Sequence, residues 1–137
     1  MVYRCYTEKK KGFDVQAQLL LGELRGALGI QAEDVRILCR YDAEGLTEEG
    51  YASAKRVVFS EPQSDDCFDE QPPALDGFWT LAVEALPGQY DQRADSCAQC
   101  IQMLLGGERP AVACATLYAV SGALSEDDRA RIRGHFN

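Results

Sequence analysis

Residues 77 positions apart keep matching along this chain, and that interval restricts what it can fold into more than any other feature. It joins Asp14 to Asp91, Phe13 to Tyr90, Ala17 to Ala94, Leu24 to Ile101 and Leu28 to Leu105. It also joins Gly29 to Gly106, Val35 to Val112, Tyr41 to Tyr118 and Gly45 to Gly122. One added residue then makes the interval 78 and aligns Leu46-Thr47-Glu48-Glu49 with Leu124-Ser125-Glu126-Asp127. Unrelated stretches share classes of residue, but they seldom share helix caps, helix stops and core positions in one register. The pattern reads as an internal duplication.

Each copy carries the same local signals. Residues 2–8 alternate, with Tyr3 and Cys5 on one side and Arg4 opposite, as a strand requires. Asp14 is placed to cap a helix whose face is Ala17, Leu20, Leu21, Leu24 and Leu28, and Gly29 is placed to stop it. Val35, Ile37, Cys39 and Tyr41 form the apolar side of a second strand, and Arg36 and Arg40 turn to solvent or a partner. Thr47, followed by Glu48 and Glu49, opens a second helix with the stripe Tyr51, Ala54 and Val58. The second copy repeats this with a strand over 78–85, a helix capped by Asp91, a strand over 112–120 and a helix capped by Ser125. The stripe of its first helix is Ala94, Cys97, Ala98, Ile101, Leu104 and Leu105. Between the copies, residues 60–73 are rich in proline and acids, and only Cys67 and Phe68 suit a short edge strand.

The expected architecture is α+β: a single domain over 1–137 with half-repeats 1–71 and 76–137 joined by that linker. Each half is β-α-β-α, the first gaining a strand near Cys67, and the halves pack as a pseudo-dimer that buries the sheet face its helices leave bare.

Composition excludes several functions. A net charge of −8 with no basic stripe opposes a nucleic-acid partner, and Lys9-Lys10-Lys11 reads as a solvated loop. No apolar run approaches the roughly 20 residues of a membrane span, and the N-terminus lacks the apolar core of a signal peptide. A cytoplasmic location with reduced cysteines is the expectation. Cys97 and Cys100 have CxxC spacing, yet they fall inside a helix without a zinc ligand set, so both read as core thiols. His135, the single histidine, reads as part of a frayed helix end and a poor base. No phosphate-cradling glycine motif occurs, and no catalytic or metal-binding residue is assigned. The densest polar cluster is Gln89, Asp91, Gln92, Arg93, Asp95 and Ser96, which serves a solvated helix start and an interdomain contact equally well.

Residues 86–102, LPGQYDQRADSCAQCIQ, together with 35–42, VRILCRYD, and 58–63, VFSEPQ, resemble the long single-chain phosphoribosylformylglycinamidine synthases of many anaerobic bacteria. The resemblance runs over nearly the whole chain. It implies the N-terminal PurS-like domain of that ligase, two PurS-type units fused into one chain. The parent enzyme is a glutamine amidotransferase of purine biosynthesis that uses ATP and magnesium. The resemblance places those cofactors and the catalytic residues in other domains, and none in this segment. Its partners would be the synthetase and glutaminase domains of the same polypeptide. The chain would then be an excised piece whose exposed contact surface favours self-association. The alternative is a stand-alone regulatory domain binding a metabolite between duplicated βαβ units.

Overall fold

The structure is a computed structural model that describes residues 1–136; Asn137, the last residue of the second half-repeat, lies outside them. It is an α+β fold with a five-stranded antiparallel sheet and four helices. In chain order the elements are β1 (Val2–Lys9), α1 (Val15–Gly26), β2 (Ala32–Glu44), α2 (Glu48–Ala54), β3 (Asp65–Asp69), β4 (Phe78–Glu84), α3 (Gln92–Leu105), β5 (Ala111–Gly122) and α4 (Glu126–His135). A π-helical turn, Lys55–Phe59, prolongs α2. No helix among the described residues is long and apolar enough to cross a membrane.

The strand order is β3-β1-β2-β5-β4, so the two long strands β2 and β5 form the middle of the sheet. Their register runs from Val35 opposite Val120 to Ala43 opposite Val112, with Cys39 facing Thr116 at its centre. Residues 35 and 43 thus each face the residue 77 places beyond the other. Near one end a bulge shifts the register between Ala32 and Asp34. Gly122 sits against it at φ +126°, where an added Cβ would lie 2.5 Å from the Gln31 carbonyl oxygen. Only glycine fits that approach.

All four helices lie on one face, above two clusters. Ala17, Leu20, Leu21 and Leu24 of α1 meet Ile132 of α4 over Val35 and Val120. Tyr51 and Ala54 of α2 meet Ala94, Cys97 and Ile101 of α3 over Cys5, Tyr41, Ala43 and Cys114. These are the alternating strand residues and the three- and four-spaced helix residues that the sequence marks as apolar. Leu104 and Leu105 depart from that expectation: both are exposed at the end of α3, where Leu105 edges an open cleft against the start of α2 at Gly50 rather than the sheet.

The opposite face is not buried by one half packing over the other. The two β-α-β-α runs meet edge to edge, through β2 and β5, and share a single sheet. Because β3 and β4 lie at opposite rims, residues 70–77 must cross the sheet to join them. They cross on the helix-free side, where Arg36 donates to the Ala74 carbonyl at 3.2 Å. Tyr6, Leu38 and Ala119 are buried on this face. Arg36 and Arg40, expected to turn outward, instead enter ion pairs here. Arg36 holds Glu8 through two bonds of 2.7 Å, and Arg40 reaches Glu84 at 3.0 Å. Arg4 pairs with Asp42 at 2.6 Å in the same row.

Candidate functional site

The start of α3 gathers the polar residues that the sequence singles out. A tight turn precedes it, closed by the Gln89 amide donating to the Leu86 carbonyl at 2.9 Å. The Gln89 side-chain oxygen accepts from the Leu86 amide at 2.8 Å. Asp91 caps the helix by accepting from the Ala94 amide at 3.1 Å, satisfying one of the donors that every helix leaves unpaired. Asp95, one turn on, accepts from the Tyr90 hydroxyl at 2.8 Å and from the Gln99 amide at 3.1 Å, and Arg109 lies at 3.4 Å. That carboxylate favours the protonated Tyr90 phenol and raises its pKa. Gln89, Asp91 and Asp95 are therefore engaged within the turn and its helix.

Arg93 does something different. Its Nη1 lies 3.3 Å from Cys39 Sγ and 3.4 Å from Thr116 Oγ1, bridging the two residues that face each other at the centre of the β2–β5 ladder. Gln92 and Ser96 are exposed beside Tyr90 and Leu86, which are 75% and 66% exposed. The cluster thus separates into three residues bound locally, one that reaches the sheet, and two left facing solvent beside bare apolar groups.

At the corresponding point of the first half the sequence expectation needs correction. Asp14 precedes α1 but makes no capping bond with the helix amides. Its carboxylate turns back to the Gly12 amide at 3.2 Å and forward to the Gln18 side chain at 3.2 Å. Those bonds hold its pKa below the usual value, Gln18 contributing most. Between this helix start and the π-helical turn runs a groove of about 940 Å³, with Thr7, Cys39 and Val58 in its lining and Phe13, Val15 and Val57 exposed around it. Only those exposed apolar residues, off the main stripes, hinted at it in the sequence.

The cysteines also rearrange the expectation. Cys97 is buried, but Cys100 is exposed on α3: Cys97 already forms one edge of the stripe Ala94, Cys97, Ala98 and Ile101, and the further turn to Cys100 passes outside it. The neighbour of Cys97 in the core is Cys114 of β5; each thiol is the chief influence on the other, lowering the pKa of Cys97 and raising that of Cys114. Cys5 of β1 and Cys67 of β3 form a second pair, Cys5 raised and Cys67 lowered, each chiefly by the other. His135 is no frayed end: its Nε2 lies 3.2 Å from Glu23 and its ring packs edge-on to Phe136, tying α4 to α1. Among the described residues no three His, Cys, Asp or Glu side chains converge as a metal cage would.

The chain matches no family model, no curated protein and no solved structure.

Proposed function

We propose that the chain is a duplicated, PurS-like domain, non-catalytic in the enzyme's reaction, that bridges the synthetase and glutaminase domains of a cytoplasmic phosphoribosylformylglycinamidine synthase. The register of β2 against β5 carries the duplication. In a dimer of one half, the two-fold axis would cross the ladder where a residue faces its own copy, and Cys39 faces Thr116, 77 residues on. The helices support the same reading. Each half sends one helix to each cluster, so that α1 packs with α4 and α2 with α3. An ancestral pair built this way exchanges contacts across the axis and cannot fold as separate halves.

The bridging role rests on the sequence resemblance and on Leu86, Tyr90, Gln92 and Ser96, four exposed residues of the turn and first helical turns of α3 that mix apolar and polar groups as interfaces do. ATP and magnesium belong, on this reading, to the rest of the enzyme. The test has two arms. The isolated chain should give no calorimetric binding to ATP or glutamine, and it should associate with separately expressed synthetase and glutaminase domains of such an enzyme. Gln92→Arg with Ser96→Arg should weaken that association at least about tenfold, or about 1.4 kcal/mol. Micromolar nucleotide affinity, or no association, overturns the proposal.

The groove beside α1 favours a second reading, a regulatory domain that takes a small metabolite. Its volume suits one, since ligand sites commonly span about 300–1,000 Å³. A thermal-shift screen decides between the readings: a strong hit that Val58→Trp abolishes selects the regulatory domain.

A further inference from the structure

We propose that Cys5 and Cys67 form a reactive dithiol that exchanges with low-molecular-weight disulfides, Cys67 attacking first and Cys5 resolving the adduct. The strand register brings them together. Cys67 of β3 faces Thr7 of β1, and Cys5 lies two residues along β1, so both side chains leave the helix-covered face and meet on the diagonal. Each thiol is the largest influence on the ionisation of the other, as close neighbours are. Cys67 is exposed, whereas Cys5 is fully buried behind it. An oxidant therefore reaches one sulfur and finds the second waiting.

The chemistry balances without a further reactant. The Cys67 thiolate attacks one sulfur of a disulfide RSSR; the S–S bond breaks, and RS⁻ leaves and takes a proton from water. Cys5 then gives up its proton and attacks the Cys67 sulfur, breaking the mixed disulfide and releasing a second RSH. Two protein thiols are oxidised to one disulfide, and one disulfide is reduced to two thiols. Ring closure needs some movement, because diagonal strand neighbours lie about 7–8 Å apart between Cα atoms and a relaxed disulfide spans at most about 6.8 Å. The strand that must yield is β3, five residues long and paired on one side only.

The local electrostatics agree. Cys5 is the largest influence on Cys67 and, with help from Lys55, lowers its pKa to about 7 against burial and the charges of Asp69 and Asp65. Cys5 itself is raised. A thiol titrating near ambient pH combines thiolate population with nucleophilicity better than one far to either side. The molecule also contains its own controls. Cys97 and Cys114 are a pair with linked titration and both members buried, and Cys100 is exposed on α3 without the neighbouring thiol that acts on Cys67.

The experiment is to incubate the folded chain with oxidised glutathione at neutral pH, trap the remaining thiols by alkylation, digest, and map the products by mass spectrometry. A Cys5–Cys67 cross-linked peptide should dominate while Cys97 and Cys114 stay reduced. In C5A the reaction should stop at a glutathione adduct on Cys67. In C67S, a change at an exposed position that leaves the core intact, the cross-link should vanish and Cys5 should remain reduced. Alkylation of Cys67 should be half-maximal near pH 7. Its midpoint should rise in C5A, with a rate at neutral pH about threefold lower, since the lost thiolate is partly offset by higher nucleophilicity. A stable Cys67 adduct in the unsubstituted chain, a Cys97–Cys114 bridge forming as fast, or a midpoint unchanged in C5A would each overturn the proposal.

Discussion

Beneath α1 and α4 the sheet meets Leu20, Leu21, Leu24, Ile30 and Ile132, whereas beneath α2 and α3 it meets Tyr41, Tyr51 and Phe59 with Cys5, Cys97 and Cys114. The buried residues of the first cluster carry no polar side-chain atoms, so shape governs their packing. The second carries hydroxyls and thiols, and the Tyr51 hydroxyl among them is held by directed bonds. The Tyr51 hydroxyl lies 2.9 Å from Asp69 and 3.0 Å from the Arg4 carbonyl. Tyr3 stacks on Tyr51 at 4.4 Å, and Tyr41 on Phe59 at 4.6 Å. Two equivalent places under one sheet are thus held by different forces, one by dispersion and desolvation, the other also by directed bonds.

The sharpest break is expected in the aliphatic cluster. Leu24 is fully buried, and Leu24→Ala should lower unfolding free energy by about 3 kcal/mol in urea titration, whereas Leu104→Ala on the exposed end of α3 should change it by less than about 0.5. Next come two glycines that the 77-residue interval relates. Both have positive φ, but a Cβ at Gly122 collides with the Gln31 carbonyl, while at Gly45 its nearest neighbour is 3.9 Å away. Gly122→Ala should therefore cost about 2–3 kcal/mol and Gly45→Ala about 1, read from the same titrations. In the aromatic cluster, Tyr51→Phe keeps the stacking and removes the hydroxyl; about 1–1.5 kcal/mol should be lost. Helix starts should differ by less. Ser125→Ala removes a reciprocal capping box closed at 3.0 and 3.1 Å and should cost about 1 kcal/mol, whereas Asp14→Ala removes no helix cap and should cost under about 0.5. The smallest effect is on acidification. Lys55, chiefly, and the Tyr51 hydroxyl hold Asp69 below its ordinary pKa, so its contribution is complete above the usual carboxylate range and fades as pH falls through the lowered value. Comparing acid titrations of the unsubstituted chain and Asp69→Asn reads it.

Periodicity carried most of the fold. Every strand and helix begins within a few residues of where alternation, three-and-four spacing and capping residues place it, because those patterns record which side of each element faces the core. Three things escaped it. Leu104 and Leu105 continue the α3 stripe, but whether a stripe is covered depends on how closely distant segments such as the start of α2 approach it. Asp14 has the right type and place for a cap, yet glycine and glutamine neighbours offered its carboxylate other donors. How the halves join was also hidden, since edge-to-edge pairing and face-to-face packing present the same alternation. At the candidate site the sequence found the crowding of Gln89 to Ser96. It did not reveal that Arg93 alone spans to β2 and β5, or that Cys67 meets Cys5, because contacts between distant segments leave no local trace.

The two rims of the sheet meet the surroundings on unequal terms. At one, β3 offers five residues of which Asp65, Asp66 and Asp69 are acidic, and a strand approaching it encounters charge before hydrogen-bonding groups. At the other, β4 offers FWTLAVE, seven residues with a single charge at the far end. Unpaired backbone on a mostly apolar strand is a template for further strands, while clustered charge deters them. Growth of this sheet, by a docking peptide or a misfolded neighbour, has one guarded flank and one open flank, and a lysine placed at the exposed Thr80 would close it.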